Sequence, residues 1–290
     1  MTEAGSTKAT APASDPADGG PAWTVNSSRG GSLLPWRDVW RGREIVFFFA
    51  LRDLQVRYKQ AVLGVAWVVA QPVITVLAFT LVFDRLADVD SRGLPYPVFA
   101  LAGLLGWTYV SQCISRGSEV LVSNTSLITK VYFPRITAPI ASLVPPAIDL
   151  LVGLGLLVIL CIVYGVVPGP ALLLLPVWLL LLGLTALGPT CFLAALNVRY
   201  RDVRQIVPPV LQALLFLSPV GYSSDGLEGA ASYLYALNPV VGALELGRYV
   251  LVGGQWPGVT LAVSVTSALV LAVGGVLYFQ RSSRHFADVI

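Results

Sequence analysis

Six long apolar runs, near residues 62–83, 97–115, 138–164, 171–196, 206–222 and 258–279, constrain this 290-residue chain more than any other feature. About 20 consecutive apolar residues suffice to cross the hydrocarbon core of a bilayer. Within that core only helices and closed barrels satisfy their own backbone groups. Runs of this length read as spanning helices. The composition agrees: 56% of the residues are apolar and 12% charged, against about 25% charged in an ordinary soluble domain. A disordered chain and a soluble globular enzyme are therefore excluded. The expected fold class is an all-α integral membrane protein with six transmembrane helices, built as one membrane domain over residues 37–290.

The flanking segments refine this plan. Residues 1 to about 32 are rich in Ala, Gly, Ser, Thr, Pro and Asp, so the stretch 1–36 is expected to be a disordered cytoplasmic tail. It has neither the basic start nor the apolar core of a signal peptide, and no cleavage is expected. Over residues 44–60, Phe47, Leu51, Leu54 and Tyr58 recur at helical spacing, with Asp53, Arg57 and Gln60 on another face. Too charged to span and too apolar for water, the segment reads as an amphipathic helix in the membrane interface. A soluble juxtamembrane helix is the alternative. Pro139, Pro145 and Pro146 mark a kink or late entry in span three.

The basic residues set the orientation. With both termini cytoplasmic, sixteen of the nineteen Lys and Arg residues fall inside, leaving Arg85, Arg92 and Arg248 outside. Asp84, Asp88, Asp90, Asp225 and Glu228 also fall outside. Between spans five and six, residues 227–237 and 240–252 form two apolar stretches separated by Asn238-Pro239. Each is too short to cross, so short re-entrant helices that could act as a gate are expected, with Asn238, Pro239, Glu245 and Arg248 as gate residues. A loop packed on the membrane surface is the alternative. Glu245 and Arg248, three residues apart, are expected to pair.

Chemical machinery is sparse. The chain has no Gly-x4-Gly-Lys-Ser/Thr phosphate loop, one histidine (His285) and three isolated cysteines (Cys113, Cys161, Cys191), which read as small buried hydrophobes. No metal site, catalytic residue or cofactor is expected on the chain. Asp149 lies inside span three, where an ionisable group faces a polar path or a partner; capping backbone freed by the two preceding prolines is an equal reading. Trp67, Trp107, Tyr109 and Tyr222 near the span ends are, with Asp149, candidates to line a substrate path, although an aromatic belt at the membrane interface needs the same residue types. The stretch 119–137 is the expected contact for a cytoplasmic partner. Asn124, Thr125 and Ser126 offer helix caps, and Leu127, Ile128, Val131, Tyr132 and Phe133 give a short helix an apolar surface suited to a groove. Lying flat on the lipid interface is the alternative.

These residues also form a recognisable series. The run Arg52-Asp53-Leu54-Gln55-Val56-Arg57-Tyr58-Lys59-Gln60-Ala61-Val62-Leu63-Gly64-Val65-Ala66-Trp67, with Gln71-Pro72 after it, resembles the start of polysaccharide-export ABC transporter permeases. Pro95-Tyr96-Pro97, Leu127-Ile128-Thr129-Lys130-Val131-Tyr132-Phe133-Pro134-Arg135, Asn197-Val198-Arg199-Tyr200-Arg201-Asp202 and Leu237-Asn238-Pro239 follow in the family's order over residues 44–253. The resemblance implies a transport subunit, not an enzyme, that moves O-antigen, capsule, teichoic acid or a related polymer across the bacterial cytoplasmic membrane. It implies a second copy of the chain and two copies of a separate ABC ATPase, which would hold the ATP and Mg. The ATPase would couple through Leu127, Ile128, Lys130, Val131, Tyr132, Phe133 and Arg135. The implied substrate is a glycan on undecaprenyl diphosphate or a similar lipid, and Arg52, Arg57 and Lys59 are candidates to contact its diphosphate. Membrane lipids are the other implied contact, and nucleic acid is not. A drug- or lipid-exporting ABC permease and a membrane enzyme acting on lipid-linked sugars are the rival readings.

Overall fold

Every regular element among the described residues is helical, as the apolar runs require. The computed structural model describes residues 43–59, 64–86, 90–124, 134–224 and 229–283. The expected disordered tail and most of the expected coupling helix lie outside them. Ten α-helices follow in order: α1 (Arg43–Lys59), α2 (Gly64–Phe79), α3 (Tyr96–Ser123), α4 (Thr137–Ala141), α5 (Val144–Tyr164), α6 (Leu175–Arg199), α7 (Val203–Phe216), α8 (Ala230–Ala236), α9 (Pro239–Val252) and α10 (Val259–Ser283). Helix α2 runs directly into a π-helical stretch, Thr80–Leu86.

Four of these stretches are long and apolar enough to cross a bilayer: Tyr96–Ser123, Thr137–Tyr164, Pro170–Arg199 and Val259–Ser283. Two shorter apolar helices, Val68–Asp84 and Val203–Phe216, occupy the places expected for spans one and five. The chain is thus an all-helical integral membrane protein. Span three breaks where its prolines predict. Helix α4 ends at Ala141, and α5 restarts with Pro145 and Pro146 in its first turn, where their missing N–H groups cost no helical bond.

Helix α3 is the axis of the bundle, with most of its length buried against α5, α6 and α9. Lipid offers helices no hydrophobic drive to associate, so close packing and interhelical hydrogen bonds must hold them together. Both are present. Helices α6 and α10 meet backbone to backbone at Gly188 and Gly275. The Trp178 Nε1 donates to the Ala243 carbonyl (2.9 Å), and Asn197 Nδ2 donates to the Ser118 carbonyl (2.8 Å). The three cysteines are free and buried.

Three expectations change in detail. Helix α7 covers Val203–Phe216 and not 206–222; Pro219 removes one helical amide and disfavours the helical conformation at Ser218. Tyr222 therefore lies beyond the helix. Span two continues past the apolar run to Ser123, so Arg116 and Glu119 stand on an added stretch of helix. Asn124 closes α3, with its Nδ2 donating back to the Val120 carbonyl (2.8 Å), and the segment it was expected to cap lies outside the described residues. Helix α1 spans Arg43–Lys59, close to the expected 44–60. It turns Phe47 and Leu51 outward, buries Ala50 and packs Phe49 in one cluster with Ile136, Ala138 and Ala141.

Candidate functional site

A spanning helix exposes polar groups to its neighbours only at a cost, so the places where such groups gather inside the bundle are informative. Helices α2, α3 and α5 enclose a cavity of about 60 Å³. Gln71 and Thr75 line it from α2, Thr108, Tyr109 and Gln112 from α3, and Asp149 from α5. On this measure a water needs about 10–15 Å³, so the cavity has room for a few waters. The Gln112 Oε1 is buried there without a hydrogen-bond partner. Thr75 returns its hydroxyl to the Gln71 carbonyl (2.9 Å). Thr80 does the same to Val76 (2.8 Å) at the α-to-π transition, a feature common at functional sites in helices.

A second assembly closes the end of the bundle at Tyr96. Glu245 of α9 accepts from Arg92 Nη1 (3.0 Å), Ser224 Oγ (3.1 Å) and Arg248 Nη1 (3.2 Å). Arg248 Nη2 donates to the Val220 carbonyl (2.7 Å), and its guanidinium lies 3.9 Å from the centre of the Phe99 ring. Tyr96 donates to the Gly221 carbonyl (2.8 Å). Asn238 accepts from the Val240 amide (3.1 Å), capping α9, and donates to Ser218 (3.0 Å). Pro239 opens the helix. Residues 218–224 are thus tied to α3 and α9 by buried polar contacts. Tyr222 and Tyr235 share a hydrogen bond of 2.9 Å, and burial, that bond and nearby Glu245 push the Tyr235 hydroxyl upward, keeping it neutral.

At the Ser123 end, Arg52 Nη2 donates to Asp53 (2.9 Å) and to Asn124 (2.6 Å). It borders a cavity of about 440 Å³ with Asp53, Arg116, Glu119 and Ser142. Arg135 Nη1 donates to the Ser283 carbonyl (2.6 Å), joining the segment before α4 to the end of α10.

The sequence candidates are only partly brought together. Tyr109 and Asp149 share the intramembrane cavity, whereas Trp107 is packed in the core and Tyr222 belongs to the Tyr96 end. The side chains of Trp67, Arg57 and Lys59, and residues Leu127, Ile128, Lys130, Val131, Tyr132 and Phe133, lie outside the described part. Sequence reading missed Gln71, Thr75, Thr108 and Gln112. Polar residues recurring within an apolar run were the available signal. Arg92 had none, since it meets Glu245 across 153 positions.

A helical membrane bundle with polar groups gathered on an internal cavity describes a membrane-embedded transport protein. The chain belongs to the ABC-2 type transporter family, which it matches over residues 46–252. It is 28% identical over 259 residues to the O-antigen export system permease protein RfbA of Myxococcus xanthus, covering 88% of this chain and 98% of that protein. It is 24% identical to the Klebsiella pneumoniae protein of the same name, over 82% and 92% of the two chains. To the polysialic acid transport protein KpsM of Escherichia coli it is 23% identical, over 80% and 91%.

Proposed function

We propose that this chain is the transmembrane subunit of an ATP-driven exporter that moves a lipid-linked polysaccharide or teichoic-acid-like polymer from the inner to the outer side of the bacterial cytoplasmic membrane. The observation that carries this reading is the end-to-end likeness to export permeases, 80–88% of this chain against 91–98% of theirs. The six polar side chains on the wall of the intramembrane cavity support it, because a hydrated glycan crossing a bilayer needs hydrogen-bonding groups along its route.

In this reading the working unit holds two copies of the chain and two ABC ATPase subunits, which carry ATP and Mg. Residues 127–135 engage the ATPase. Arg52, Arg57 and Lys59 receive the carrier diphosphate at the inner surface, and Arg116 adds a further guanidinium beside the Arg52 cavity. Helices α8 and α9 form the gate on the outer side, and both termini are cytoplasmic.

Deletion of the gene tests the proposal. Lipid-linked glycan is expected to accumulate on the inner side of the membrane while the corresponding polymer disappears from the cell surface. A deletion strain with normal surface glycan and no internal accumulation would overturn it.

A further inference from the structure

A third cavity, of about 240 Å³, lies between the turn at Arg92, helices α8 and α9, and the connector from α9 to α10. We infer that it is a saccharide-binding subsite, taking one neutral sugar ring of the exported glycan at the outer face. The inference rests on the export reading above.

The connector presents Trp256 in a fixed position. Gly253 and Gly258 bracket it with φ of 72° and 64°, a left-handed conformation that suits glycine. The Gly254 amide donates to the Arg248 carbonyl (3.2 Å), and Thr260 donates to the Pro257 carbonyl (2.6 Å). Tyr249 meets the indole edge to face, with centroids 5.2 Å apart and planes at 78°, which sets the orientation of the ring. Even so, Trp256 remains 55% exposed.

Around the indole stand planar polar groups. The Arg92 guanidinium and Glu245 carboxylate, joined at 3.0 Å, form one wall, with side chains only 8% and 4% exposed. Gln255, next to Trp256, offers an amide from an exposed position, and the cavity surface is mainly polar. A pyranose ring has the matching chemistry. Its axial C–H face packs on the π cloud of an indole, and its hydroxyls both donate and accept, as carboxylate, guanidinium and amide groups require.

Other occupants fit less well. A hydrocarbon chain would offer the Gln255 amide no hydrogen-bond partner. It is better suited to the apolar groove of about 870 Å³ between α7 and α10. An anionic headgroup would meet the Glu245 carboxylate in the same wall as Arg92. A tryptophan serving only as an interfacial anchor has no use for Gln255.

The test uses the full-length protein in lipid nanodiscs. The probe is the producing organism's own surface glycan, released from its lipid by mild acid and fractionated to short oligosaccharides, with binding followed by calorimetry. Saturable binding is expected, weakened about tenfold by Trp256→Ala and several-fold by Gln255→Ala, with Trp256→Phe retaining most of the affinity. No saturable binding by the wild type, or wild-type affinity in both alanine variants, would overturn the subsite. The deletion strain separates the two proposals. Internal accumulation of lipid-linked glycan without oligosaccharide binding removes the subsite alone, whereas absence of accumulation removes the export reading.

Discussion

Arg248 ties several parts of the bundle together through one buried side chain. It is 1% exposed and holds Glu245, the Val220 and Tyr222 carbonyls and the face of Phe99 together. Glu245 in turn stands between two guanidiniums, those of Arg92 and Arg248. Removing one member of a buried ion pair costs about 3–5 kcal/mol, because the remaining charge stays buried. Glu245→Ala is therefore expected to lower the thermal midpoint of the detergent-purified protein sharply. The double variant with Arg248→Met should lose less than the sum of the two single variants, by roughly 1–3 kcal/mol. Strict additivity would show that the two groups are not coupled. Spacing along one helix face made the Glu245–Arg248 contact legible from sequence. The contribution of Arg92 was not, because nothing local distinguishes a loop arginine that folds back onto α9 from one left in solvent.

Among the elements, the contact between α6 and α10 depends on two residues without side chains. A Cβ on Gly188 would run into the backbone of Leu271 and Ala272, and one on Gly275 into the backbone of Gly188. Gly274, one position along, would meet nothing within 4 Å. Alanine ordinarily stabilises a helix interior over glycine by roughly 0.5–1 kcal/mol, and overpacking costs about 1–3 kcal/mol. Gly188→Ala and Gly275→Ala are expected to lower the thermal midpoint, while Gly274→Ala leaves it unchanged or raises it. Equal effects at all three positions would refute the backbone contact. Long apolar runs made the four long helices legible, because run length alone decides whether a segment can cross. Which glycine faces a neighbour depends on helix rotation, which a run apolar on every side does not encode. The polar cavity is hidden for the same reason: Gln71, Thr108, Gln112 and Asp149 sit on three helices and become a group only when α2, α3 and α5 are packed.

At the scale of the whole molecule, the open point is whether α7 carries the chain across. Its 14 residues give about 21 Å of rise, short of the roughly 30 Å of a hydrocarbon core. Helix α3 provides the ruler. Arg204, at the start of α7, reaches Glu119 near the end of α3 (3.2 Å), and Gly221 accepts from Tyr96 at its beginning (2.8 Å). Residues 96 to 119 of a helix cover about 34 Å. The turn residues 217–221 after Phe216 and the long side chains of Arg204 and Tyr96 make up the difference. Their non-helical backbone is tolerable because residues 218–221 are buried and Arg248, Tyr96 and Asn238 hold them against the bundle. Arg201 and Gln255 should then lie on opposite sides of the membrane, both exposed. Single cysteines test this directly, since the three native cysteines are buried and should stay silent to a membrane-impermeant maleimide. Gln255→Cys is expected to label in intact cells, and Arg201→Cys only after the membrane is opened. Labelling of both from one side would mean that the chain turns back after α7, and the reversed pattern would place the termini outside. The expected result makes a 14-residue helix a full crossing, completed by a segment whose polar contacts are also those that hold α9.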